Sequence, residues 1–174
     1  EPDWLVSVRG ALDDGMFVAD DAVIWIPRAG YRRGPTDEGL WGEGELVLNR
    51  HGHRSPDRPL EKPEGVKRAL VLGGSHPCGM WVDTHEAYSA VLEERLNQGD
   101  GPQWEVLNAC SPGYTTFQGW KYLERYGLAF EPDVVIFDLG NNDMLPLAPR
   151  WSAADHEAQA VSPWLREAGG IGRR

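Results

Sequence analysis

The stretch Arg68-Ala69-Leu70-Val71-Leu72-Gly73-Gly74-Ser75-His76-Pro77-Cys78-Gly79 decides the fold. Its first five residues are near-continuously apolar rather than alternating. That pattern belongs to a strand covered on both faces, and such strands sit in parallel sheets. The glycine-rich turn ends the strand abruptly. Beyond it Thr84 is placed to cap a helix carrying Ala87, Tyr88, Val91, Leu92 and Leu96 at helical spacing, with Asn97 and Gly99 as its stop. Trp104 to Asn108 reads as a second strand, and the loop 109–114 follows. Thr115-Thr116-Phe117-Gln118 then forms a T-x-x-Q capping box opening a helix with Trp120, Leu123 and Gly127 on one face. Asp133 to Leu139 (DVVIFDL) is a third strand. The order β-α-β-α-β predicts an α/β fold built on a parallel sheet with right-handed crossovers.

Upstream the texture differs. From residue 1 to about 65 the chain is dense in Gly, Pro and Arg, with short apolar bursts at Val23–Ile26 and Leu46–Leu48 between turn-formers. Residues 54–65 hold Pro56, Pro59 and Pro63 among charged residues and read as an extended connector. The expected organisation is therefore an N-terminal β- and loop-rich segment or accessory module over 1–65, then an α/β domain over 66–174. The 174 residues carry 27 acidic against 17 basic side chains, a net charge of -10 that repels phosphate backbones and argues against nucleic-acid partners. The longest purely apolar run, Ala22 to Ile26, is far short of a membrane span.

All three post-strand loops, 73–79, 109–114 and 140–145, are expected at the carboxyl edge of one sheet, where open α/β folds keep their sites. They concentrate Ser75, His76, Cys78, Cys110, Gly113, Asn141, Asn142 and Asp143. A phosphate cradle is disfavoured, because Met80 and Trp81 stand where the G-x-x-x-x-G loop requires Lys and Ser/Thr. Gly73, Gly74 and Gly79 miss the dinucleotide spacing, and Pro77 spoils a G-x-S-x-G elbow. What remains is a serine just past a Gly-Gly pair at the mouth of the first parallel strand. Such a hydroxyl becomes a nucleophile when a base takes its proton and amide donors stabilise the oxyanion. The Ser75 N–H, the Gly113 N–H and the Asn142 side-chain amide are candidate donors from three loops, and a glycine at 113 lets its backbone approach a substrate.

The strings Arg68-Ala-Leu-Val-Leu-Gly-Gly-Ser75, Asn108-Ala-Cys-Ser-Pro-Gly113-Tyr and Gly140-Asn-Asn142-Asp143 resemble the first three conserved blocks of the SGNH hydrolases, the GDSL esterase/lipase family. Leu48-Asn49-Arg50-His51-Gly52-His53-Arg54 is similar to what precedes the first block in many bacterial members. The resemblance covers about residues 45–145. It implies a flavodoxin-like three-layer α/β/α fold, Ser75 as nucleophile and oxyanion donor, Gly113 as second donor and Asn142 as third. It also implies a small-molecule or glycan ester as substrate. Three departures from the family pattern stand out. Gly74 stands where the family has the Asp of its GDS signature, and Cys110 stands at a position commonly filled by Gly or another small residue. The family's Asp-x-x-His base motif is absent, the downstream Asp155-His156 being adjacent rather than spaced. We therefore expect the chain to be part of a longer polypeptide that supplies the base. A competing expectation is a catalytically inactive domain that binds carbohydrate or scaffolds an envelope assembly through the same cleft.

His76 is expected to line the pocket or face solvent. Trp81, just past the nucleophile loop, is a candidate to line a substrate cleft or stack on a sugar. Cys78 and Cys110 follow adjacent strands and are within possible disulfide reach; a bridge would imply an extracytoplasmic home. His51-x-His53 is read as solvated surface rather than a metal site, and Glu93-Glu94-Arg95 as a solvated helix face. The chemistry calls on no cofactor.

Overall fold

The computed structural model describes residues 15–34 and 44–144. The Asp155-His156 pair lies outside the described residues. Strand β5 (Val66–Gly73) is the centre of a three-stranded parallel sheet of order β6-β5-β7, with β6 at Gln103–Asn108 and β7 at Val134–Asp138. The α/β class and the parallel sheet expected from the sequence are both present. Val71 pairs with Asn108 on one side and Ile136 on the other. The chain thus leaves β5 to one side for β6 and then crosses β5 for β7, which makes the carboxyl end of β5 a topological switch point.

Helix α1 (Ser75–Cys78) follows β5 directly, α2 (Tyr88–Leu96) leads into β6, and α3 (Thr116–Arg125) leads towards β7. Thr115 caps α3 by the expected reciprocal box with Gln118. Its buried face, however, carries Gln118, Gly119 and Tyr122, while Trp120 is 55% exposed. Gln118 is drawn inward because its side-chain amide donates to the Val23 carbonyl. Thr84 does not cap α2. A separate 3-10 turn, Thr84–Glu86, is boxed by Asp83 with Glu86, and α2 begins after Ala87. The helix face at Glu93 is not simply solvated, since its carboxylate takes Arg58 at 2.9 Å and the Val106 N–H at 2.7 Å. Strand β7 pairs on one side only among the described residues, with Val134 and Phe137 exposed.

Two antiparallel pairs precede the sheet: β1 (Phe17–Asp20) with β2 (Ile24–Pro27), and β3 (Arg32–Arg33) with β4 (Leu46–Val47). Their side chains share one apolar cluster with the sheet. Phe17, Val23, Trp25, Leu46 and Leu48 join Leu70, Leu72, Leu107 and Tyr114. Buried polar groups fix the register beside this apolar packing. Arg68 and Glu105 face each other across β5 and β6 and pair at 2.6 Å, and the other arm of Arg68 donates to the carbonyls of Leu60 and Phe130. Lys62, Lys67 and the Arg68 N–H converge on Asp133 at the approach to β7, and those bonds, Lys62 first, hold its carboxyl well below the usual carboxylate range. No helix among the described residues is long and apolar enough to cross a membrane.

Candidate active site

A cleft of about 430 Å³ opens at the switch point, lined by the turn and helix after β5 (Gly74, Ser75, His76, Pro77), by Asp138 at the end of β7 and by the loop that follows it (Leu139 to Asn142). Ser75 is the first residue of α1, directly after the cap residue Gly74. It is half-buried, at the cleft wall.

Asn142 reaches the same turn from the opposite wall. Its Nδ2 donates to the Tyr114 carbonyl at 2.9 Å and lies 2.8 Å from the point where a Cβ on Gly74 would stand. A side-chain amide carries two hydrogens, so one remains for another acceptor. The neighbouring Asp143 takes the Thr116 N–H and hydroxyl, pinning the post-β7 loop to the start of α3. Loops after β6 and β7 are thereby fixed to each other beside Ser75.

Ser75, His76 and Asn142 thus share one cleft, whereas Gly113 and Trp81 are not among its lining residues. Gly113 precedes the Tyr114 carbonyl that holds Asn142. Its φ of +83° and the Trp25 ring, 3.3 Å from where a Cβ would sit, are what demand glycine there; the space freed by the missing side chain is filled by Trp25. Trp81 is 54% exposed, its ring edge-on to the exposed His76 at 6.4 Å. The His76 Nδ1 lies 3.5 Å from the Asn141 amide. Tyr88, at the start of α2, is pushed up to about 12 by burial and then by the nearby Asp138 carboxylate.

Cys78 and Cys110 are joined by a disulfide with their Cα atoms 5.2 Å apart, tying the end of α1 to the loop after β6. The expectation of solvated imidazoles at 51 and 53 is corrected. His53 is 1% exposed, bonded through Nε2 to the Tyr122 hydroxyl at 2.8 Å and packed on Phe130, while His51 contacts the same ring edge-on. Burial, with the adjacent His51 charge second, pushes His53 down to about 3. It is a neutral core residue. A lone H-x-H carries no signal distinguishing this from surface.

The most consequential residue missed in the sequence is Arg54. It is 2% exposed, and its fork donates to the carbonyls of Cys78, Gly79, Val82 and Glu45. Burial, and then Arg33 nearby, lower its pKa, with Asp83 opposing. In the sequence it is legible only as the first residue of the proline-rich connector 54–65.

No family model matches the chain. In sequence it is similar to Esterase TesA of Pseudomonas aeruginosa, with 30% identity over 86 residues. The match takes in 49% of this chain and 42% of that protein, so the chain spans less than half the length of the relative it matches. A distant, partial likeness to an esterase is thus joined to a cleft at the sheet's carboxyl edge.

Proposed function

We propose that the chain carries the nucleophile half of a serine ester hydrolase of the SGNH (GDSL) type. Ser75 Oγ attacks the acyl carbonyl carbon and its proton passes to a base, a histidine outside the described residues. The carbonyl oxygen becomes an oxyanion held by the Ser75 N–H and the free hydrogen of the Asn142 amide, with the Gly113 N–H, which lies outside the cleft lining but next to the Tyr114 carbonyl that anchors Asn142, as the proposed third donor. Collapse breaks the ester C–O bond and releases the alcohol, which takes the proton from the base. Water then attacks the acyl-serine, returning the serine and a carboxylic acid. Short acyl esters and O-acetylated glycans are the proposed substrates, with His76 lining the pocket and Trp81 offering an exposed aromatic face to a sugar beside it.

The observation that carries this proposal is the placement of the Asn142 amide against the Gly74–Ser75 turn, supported by the partial similarity to an esterase. The disulfide supports an oxidising, extracytoplasmic setting. Hydrolysis of p-nitrophenyl acetate and of O-acetylated glycans, measured on wild type and Ser75→Ala, tests it. Turnover lost in Ser75→Ala supports the hydrolase, whereas glycan binding that survives the substitution, with no turnover in the wild type, would establish a binding domain instead.

A further inference from the structure

Helix α1 is four residues long, below the length at which a helix holds itself together, yet it must fix the Ser75 hydroxyl to a fraction of an ångström. What holds it lies at its carboxyl end. The Asn108 side-chain amide donates to the Pro77 carbonyl at 2.8 Å, and the Arg54 guanidinium takes the next two carbonyls, those of Cys78 and Gly79. The other Arg54 nitrogen reaches on to the carbonyls of Val82 and Glu45, and the Arg54 backbone N–H donates to the Asn108 carbonyl at 2.9 Å, where β6 ends. Among the described residues Arg54 makes no carboxylate ion pair. Its charge is met by carbonyl dipoles gathered from the end of α1, from the segment after it and from Glu45 just ahead of β4.

We propose that Arg54 is a positioning residue for catalysis: its planar fork locks the end of α1 and so sets the direction of the Ser75 hydroxyl, a role that rests on Ser75 being the nucleophile. Only a guanidinium suits the task. Two nitrogens in a rigid plane address two carbonyl pairs at once, whereas an ammonium is a point donor on a flexible stem. Substrate is not touched by Arg54, so binding is expected to survive its loss while the chemical step suffers.

The experiment compares wild type, Ser75→Ala, Arg54→Lys and Arg54→Met in the intact protein. Thermal melting and circular dichroism establish how much of each is folded. The proposal predicts that folded Arg54→Lys keeps KM for p-nitrophenyl acetate within about twofold while kcat falls about tenfold or more, with an equal fall in the rate of fluorophosphonate labelling at Ser75. A folded lysine or methionine variant with wild-type kcat would overturn it, as would a loss that only tracks the unfolded fraction. Wild-type labelling at Ser75 together with undiminished Arg54→Lys labelling would remove the positioning role and leave the nucleophile standing; no wild-type labelling at Ser75 would remove both. Should neither variant fold, nitrogen-15 NMR of the wild type decides. Separately resolved, slowly rotating Nη protons for Arg54 are expected, and an averaged signal would contradict the clamp.

Discussion

The Asn142 amide nitrogen donates to the carbonyl oxygen of Tyr114 at 2.9 Å, and this bond joins the loop after β7 to the loop after β6 across the end of the central strand. It also sets what a side chain at position 74 would meet. A Cβ there would lie 2.8 Å from the same nitrogen, closer than such atoms approach, so the amide end held by Tyr114 would have to shift to admit it.

Gly74→Ala is therefore expected to act as an active-site substitution. It should displace the Asn142 amide and lower kcat about 10²-fold, the cost of one oxyanion donor, with a small change in stability. Asn142→Ala should lose a similar factor, and the double variant little more than either single one, because both remove one donor. Ester hydrolysis kinetics check the prediction; additive losses in the double variant would show that the two residues act separately.

The disulfide closes a loop with a sequence separation of 32 residues. Restricting the unfolded chain to that extent is worth about 3–4 kcal/mol. The double variant Cys78→Ala/Cys110→Ala should lower the urea midpoint accordingly, and dithiothreitol should destabilise the wild type but leave the variant unmoved.

Acid sensitivity should carry the mark of His53. Its folded pKa, about 3, lies below the unfolded 6.5, so between those values the unfolded chain takes up a proton that the folded chain refuses. Stability falls as the pH drops from 6.5 towards 3, at up to about 1.4 kcal/mol per pH unit. Urea melts between pH 7 and 4 should show a shallower slope for His53→Gln than for wild type. Carboxylates such as Asp133 contribute equally to both and cancel in the difference.

Glu105→Gln should be strongly destabilising, since it leaves the buried Arg68 guanidinium without its counter-charge. A loss of about 3–5 kcal/mol in the unfolding free energy is expected, with no change in KM for the folded fraction.

The parallel sheet and the succession of elements along the chain were legible because Ala69–Leu72 and Val134–Phe137 are unbroken apolar runs and because Thr115 and Gln118 form a box that only a helix start explains. Glycine and asparagine at strand ends pointed to the carboxyl edge, where Ser75, His76 and Asn142 do share a cleft. Residues buried by distant partners were not legible. Arg54 and His53 look like a polar loop until the carbonyls of residues 78–82 and the Tyr122 hydroxyl are brought to them. Trp120 differs in the other direction. Helical spacing put it on one face with Leu123 and Gly127, but the buried side of α3 is taken by Gln118, Gly119 and Tyr122, and helical period alone does not say which stripe wins.

The central claim is a nucleophilic oxygen at residue 75. Treating the intact, hydrolytically active protein with a fluorophosphonate probe and mapping the adduct by peptide mass spectrometry tests it most directly. The account predicts a single adduct on Ser75, absent in Ser75→Ala and slowed in Asn142→Ala. An active protein that stays unlabelled at Ser75, or carries the adduct on another side chain, would contradict it.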